Sequence, residues 1–154
     1  MLDDAQIALL NAIVERLIPS DEHGPGAREA HAARYILGSL ASDYRRHLPE
    51  YAAGLAEVEA RAQAAYSAPF VSLAPARQDH ILEQIERQQG STDGPMPRSF
   101  FDLVLRHTRE GVFGDPRWGG NAERVGWGLI RYGGPKLIWT ADDQQIEDVE
   151  RPNQ

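Results

Sequence analysis

LPEYAAGLAEVEARAQAA, residues 48–65, decides the fold. Leu48, Tyr51, Leu55, Val58, Ala62 and Ala65 recur in it at steps of three and four without a slip, the rhythm of one buried helix face. Pro49 suits the first turn, where its missing N–H is no loss. The same rhythm continues on either side. Ile7, Leu10, Val14 and Leu17 line a helix expected from Asp4 to Ile18, with Asp3 and Gln6 spaced as a capping box and Pro19 as the stop. PSDEHGPG (19–26) is a turn, and a second helix is expected from Ala27 to Ala41 with Ala33, Ile36, Leu37 and Leu40 on one side. Pro75 opens another that buries Ile81, Leu82 and Ile85, stapled by Leu73. Ser99 caps a fifth, in which Asp102 completes a Ser-x-x-Asp pattern and Phe100, Val104, His107 and Thr108 share a face. No window alternates with period two. The expectation is an all-α fold: a single-domain helical bundle of five to six helices over residues 1–140, then an acidic tail over 141–154.

Composition bounds the possibilities. A chain of 154 residues is one domain, able to bury about 68 to 70% of the surface its unfolded form exposes. With 42% hydrophobic residues it is too apolar for a disordered protein, yet it has no run of the roughly 20 apolar residues a membrane span needs. There is no cysteine, so disulfides, thiolate metal sites and cysteine nucleophiles are excluded. A net charge of −7 argues against nucleic acid, whose phosphates attract clustered Lys and Arg.

The last third is written differently. Eight of the fourteen glycines lie between Gly111 and Gly134, and all three tryptophans, Trp118, Trp127 and Trp139, fall in or just beyond that stretch. From Met96 to Trp139 seven basic residues face four acidic ones, a local +3 within an acidic chain. Glycine lets backbone approach backbone, and Trp, Tyr and Arg are the residues that anchor interfaces. The segment therefore reads as a contact surface. The plainer alternative is that Trp118 and Trp127 close the end of the bundle as core residues.

A search for chemistry finds little. His23, His31, His47, His80 and His107 form no His-Glu-x-x-His pair and no i, i+4 metal pair. His107 reads as a core or rim histidine, and Asp21, Glu22 and His23 as a solvated turn. Gly126, Gly128 and Gly133 lack the spacing of a dinucleotide loop, no serine sits in a nucleophile elbow, and Glu57 and Glu59 fall on different helix faces.

The run FFDLVLRHTREGVFGDPRWGGNAERVGWGLIRYGG (Phe100 to Gly134) resembles the gluconate 2-dehydrogenase subunit 3 family, the small subunit of bacterial flavin-dependent sugar dehydrogenases. The opening LNAIVERLIPSDEHGPGAREA (Leu10 to Ala30), the Tyr51, Gly54, Leu55 helix, and Phe70, Leu73, Arg77, Ile81 and Leu82 extend the likeness over most of the chain. The resemblance implies an accessory role. The large glucose-methanol-choline-type subunit would hold FAD and the catalytic groups, and often a cytochrome c subunit takes the electrons. The small subunit would bind, stabilise and help mature the flavoprotein, and carry it across the membrane where it has a twin-arginine signal. It brings no catalytic residue and no metal to this chain, and the cofactor, FAD, is expected in the partner.

On this reading the residues expected to meet the partner are Asp115, Arg117, Trp118, Asn121, Trp127, Arg131 and Tyr132, with Asp115 and Asn121 as caps of local turns being the alternative. The amino terminus as given shows neither a secretory signal nor a twin-arginine motif, so the expectation is the cytoplasm for the chain as given and the periplasm if a twin-arginine signal has been removed. Two other functions stay open: an independent small-ligand module or enzyme with its site in the Trp-rich segment, and a chaperone that releases its client.

Overall fold

The computed structural model describes residues 1–89, 99–136 and 138. These form six α-helices: α1 (Asp4–Leu17), α2 (Ala32–Ala41), α3 (Leu48–Tyr66), α4 (Pro75–Gln89), α5 (Phe100–Phe113) and α6 (Val125–Leu129). Short 3-10 turns lie at Arg45–His47, Phe70–Ser72, Pro116–Trp118 and Ala122–Arg124. Among the described residues there is no strand, and the sole bridge joins Asp21 and Gly24 in the first turn. None of the helices is long and apolar enough to cross a membrane.

The helix starts follow from their caps. Asp3 and Gln6 make the expected capping box: the Gln6 N–H donates to Asp3 Oδ1 at 2.8 Å and the Asp3 N–H to Gln6 Oε1 at 3.0 Å. Ser99 Oγ accepts from the Asp102 N–H at 3.2 Å and starts α5 as the sequence predicts. Helix α5 is the axis of the bundle, packing on α1, α2, α3, α4 and α6. Its buried side carries Val104, His107, Thr108 and Val112 against Leu10, Ile13, Ile36, Tyr51, Leu55 and Ile81 from the surrounding helices. Arg16 and Asp79 tie α1 to α4 through two charge-assisted bonds of 2.7 and 2.9 Å, and this pairing raises the Arg16 pKa.

Two expectations need correction. Helix α2 begins at Ala32, five residues after the expected Ala27. Ala27 to His31 instead make a turn in which the Ala27 N–H donates to Ile18 O at 2.8 Å and His31 adopts φ 57°. Those tertiary bonds outweigh the helix propensity of the local alanines. Ala65, expected on the buried face of α3, is exposed. At the end of α3 it is Tyr66 that packs on the core, under the Arg77 guanidinium at 5.1 Å, and the helix stops there with Ser67 in the left-handed region at φ 52°.

Candidate functional site

The polypeptide beyond α5 is irregular but tightly wired. Asp115 caps the turn Pro116–Trp118, accepting from the Arg117 N–H at 3.0 Å, and its other oxygen lies 3.4 Å from Arg117 Nε. The chain then doubles back so that Gly120 lies against the backbone of Gly111, where a Cβ would collide with the Gly111 carbonyl. Gly111 itself rests on Ala32 of α2. Such backbone-on-backbone approach requires glycine.

Asn121 holds this return in place. It is 0% exposed; its Nδ2 donates to Gly114 O at 2.8 Å and its Oδ1 accepts from the Gly126 N–H at 2.9 Å. Next to it the Ala122 N–H donates to Ala30 O at 3.1 Å, joining the segment to the foot of α2. Asn121→Ala is expected to lower unfolding stability by about 2 kcal/mol, roughly one for each buried side-chain hydrogen bond lost. Chemical denaturation checks this, and a change under 0.5 kcal/mol would contradict the role given to Asn121.

The two described tryptophans divide between the alternatives. Trp127 is 7% exposed, and its indole N–H donates to Phe113 O at 2.8 Å, so it closes the end of the bundle. Tyr132 stands edge-on to it at 5.1 Å and Arg124 lies over it at 5.9 Å. Trp118, by contrast, is 64% exposed, with the Arg117 guanidinium over its ring at 5.0 Å. Trp118 and Arg117 form one wall of a cavity of about 390 Å³ whose other wall is Tyr35, Ser39, Asp43 and Tyr44.

Leu129, Ile130 and Tyr132 are also exposed, Ile130 by 56%. Leu129 and Ile130 were not among the residues expected from sequence. Arg131 stands exposed beside them. Of the six non-glycine residues with positive φ among the described residues, four lie here: Asn121 (44°), Glu123 (53°), Arg124 (61°) and Arg131 (52°). Sparsely populated conformations of this kind cost on the order of 1–3 kcal/mol each and concentrate where a protein does its work. Of the expected residues, Arg117, Trp118, Arg131 and Tyr132 thus present surface. Asn121 and Trp127 face inward, and Asp115 caps a turn. The acidic tail at 141–154 and Trp139 lie outside the described residues.

A second cluster went unnoticed in the sequence. His107 on α5 is 3% exposed, and its Nδ1 lies 2.9 Å from the Tyr51 hydroxyl. Its ring stacks on Tyr44 at 4.4 Å and Tyr51 at 5.9 Å, within 10° of parallel to both. Burial lowers the His107 pKa to about 4 and, with nearby Glu110, raises those of Tyr35, Tyr44 and Tyr51. Glu110 accepts from the Tyr35 and Tyr44 hydroxyls at 3.0 and 3.1 Å and from Arg106 Nε at 3.1 Å. Among the described residues no three His, Asp or Glu side chains converge as a metal site. Asp21 accepts from the His23 N–H at 2.8 Å within its exposed turn.

The described chain is thus an all-helical body whose last segment exposes aromatic and apolar side chains and adopts left-handed backbone at four non-glycine residues. The chain belongs to the gluconate 2-dehydrogenase subunit 3 family, whose model matches residues 4–134. By that family's name it is an accessory subunit of a multi-subunit dehydrogenase. No curated protein and no solved structure matches it.

Proposed function

We propose that this chain is the non-catalytic small subunit of an FAD-dependent sugar or glycoside dehydrogenase of the glucose-methanol-choline type, and that it binds, stabilises and helps mature the flavin-bearing subunit. The observation that carries this reading is that the segment after α5 exposes Trp118, Leu129, Ile130 and Tyr132 together with Arg117 and Arg131. Aromatic and aliphatic anchors beside arginines are the composition of an interface, and their backbone is already ordered by Asn121 and Trp127, so docking loses little conformational entropy. Gly126 and Gly128 lie inside α6; Gly126 is buried and pressed against Val112, and Gly128 is exposed with open space beside it. On this reading the flavin belongs to the partner, and a cytochrome c docks elsewhere on the complex.

The test is co-expression with a flavoprotein of that type, followed by affinity capture on the small subunit and assay of flavin absorbance and dye-linked sugar oxidation. A yellow, active complex is expected. Trp118→Ala should weaken it by roughly 30-fold, the effect of removing an anchor worth about 2 kcal/mol, while leaving the melting temperature of the chain and the substrate preference unchanged. Trp127→Ala should lower both complex yield and melting temperature, because its indole is part of the fold. Full recovery of complex with a folded Trp118→Ala chain would remove this surface from the interface. A colourless, partner-free protein would turn attention to small ligands of the Trp118 cavity.

A further inference from the structure

A phenol gives up an electron readily only when its proton leaves at the same time, since the phenol radical cation is a strong acid. Which tyrosines of a protein can be oxidised therefore depends on a base within hydrogen-bond reach, about 2.6–3.2 Å. Tyr35, Tyr44 and Tyr51 each meet that condition. The Tyr51 hydroxyl lies 2.9 Å from His107 Nδ1, and the Tyr35 and Tyr44 hydroxyls donate to Glu110 Oε2 at 3.0 and 3.1 Å. Their rings are also in electronic contact. The His107 ring lies over Tyr44, with centroids at 4.4 Å and an interplanar angle of 9°, and runs within 10° of parallel to Tyr51, at 5.9 Å, whose hydroxyl meets its Nδ1. Tyr51 and His107 are sealed from solvent, whereas Tyr35 and Tyr44 open onto the cavity walled by Trp118.

We propose that Tyr51, His107 and Tyr44 form a proton-coupled one-electron relay, which takes an oxidising equivalent from a small diffusible radical and moves it between the buried core and the Trp118 cavity. The oxidant is of the azidyl or nitrogen dioxide class and is reduced to its anion. The radical meets Tyr44 at the cavity, and one electron leaves the Tyr51 ring by way of Tyr44 to reach it as the Tyr51 O–H bond breaks and the proton passes to His107 Nδ1, giving a phenoxyl radical beside an imidazolium. Tyr44 then returns an electron to Tyr51, whose oxygen recovers its proton from His107, while the Tyr44 hydroxyl proton moves to Glu110. A reductant of the ascorbate class, meeting Tyr44 at the cavity, supplies the electron that restores it, and Glu110 returns the proton. The net reaction is one-electron oxidation of the reductant by the radical. The hydrogen-bonded rings make this cluster a place where an oxidising equivalent is held on oxygen and spread over a ring.

The experiment is pulse radiolysis of the full-length chain in azide solution, following the phenoxyl absorption in real time and the radical by electron paramagnetic resonance in rapidly frozen samples. A long-lived phenoxyl component is expected that forms more slowly in heavy water. Tyr51→Phe should lose that component, leaving a short-lived signal from exposed tyrosines such as Tyr132. His107→Phe should lose it too, although every tyrosine is still present, because the stacked ring no longer accepts a proton. Ascorbate should quench the component in the wild-type chain. Unchanged yield and lifetime in folded Tyr51→Phe overturns the relay. Should either variant fail to fold, the wild-type comparison decides: equal rates of formation in light and heavy water overturn the proposal. No part of this test involves the partner subunit, so its outcome is separable from that of the proposed function.

Discussion

Gly126→Ala is expected to detach the segment from Asn121 onward while helices α1–α5 stay folded. A Cβ at position 126 would be driven into the carbonyl oxygen of Val112, with the Val112 side chain 3.1 Å away behind it. Val112 is fully buried on the axial helix α5 and cannot retreat. Helix α6 must move instead, and its movement breaks the Gly126 N–H bond to Asn121 and the Trp127 N–H bond to Phe113, 2.9 and 2.8 Å in the intact fold. Overpacking of about 1–3 kcal/mol, together with about 1–3 kcal/mol for a stranded buried amide, gives a total on the order of 4 kcal/mol. That is enough to release a short segment whose local opening draws on only part of the global stability. Trp127 emission should shift to the red and become quenchable, the far-ultraviolet helical signal should fall only slightly, and complex formation should collapse. Wild-type Trp127 emission in the variant would refute this account. Gly128→Ala is the control, since no atom outside its own helical surroundings lies within 4 Å of the added methyl and Ala is the better helix former. It should fold normally.

The contrast between these two glycines marks how far the sequence could be read. Helices α1, α3, α4 and α5 were legible because each buries one face, and a one-sided pattern survives in the order of residues: Tyr51, Leu55, Val58 and Ala62 are all buried as their spacing requires. The caps at Asp3 and Ser99 were legible because they are local. The true start of α2 was not, because it is set by bonds to Ile18 and, through Ala30, to Ala122, which no local pattern reports. The candidate surface was located as a segment but not resolved within it. Trp118 and Trp127 are the same residue type in the same glycine-rich surroundings, and only the carbonyl of Phe113 turns one of them inward. The left-handed backbone at Glu123, Arg124 and Arg131 could not be read either, since these residue types do not favour it. The His107 cluster is assembled from Tyr44, Tyr51 and Glu110 on different elements. Its one sequence-visible part is the i, i+4 pair Arg106 and Glu110, which by itself reads as an ordinary surface pair.

That cluster makes the second large effect a pH dependence. Burial holds the His107 pKa at about 4, against an ordinary value of about 6.5; His47 and Arg106 push the same way, and Glu110 and Glu50 oppose. Above about pH 6.5 the ring is neutral in the folded and the unfolded chain alike, and it adds no pH dependence. Between 6.5 and 4 the unfolded chain binds a proton at this residue and the folded chain does not, so stability falls as the pH falls, by about 1.4 kcal/mol per unit. The accumulated loss approaches 3 kcal/mol at pH 4 and then levels off, because below that value both states are protonated. Against a typical total of about 5–15 kcal/mol this is a large share from one side chain. Denaturant unfolding at pH 7 and at pH 4.5 measures it, and His107→Gln isolates it. Glutamine can still accept from the Tyr51 hydroxyl but does not titrate, so the variant should start less stable and lose less on acidification, whereas all other groups contribute equally to both chains. Equal losses in the two proteins would mean that the folded chain admits a proton at His107 without rearranging. The Tyr44 ring over it and the Tyr51 hydroxyl at its Nδ1 would then be tolerating an imidazolium, and water would have to reach a ring that is now 3% exposed.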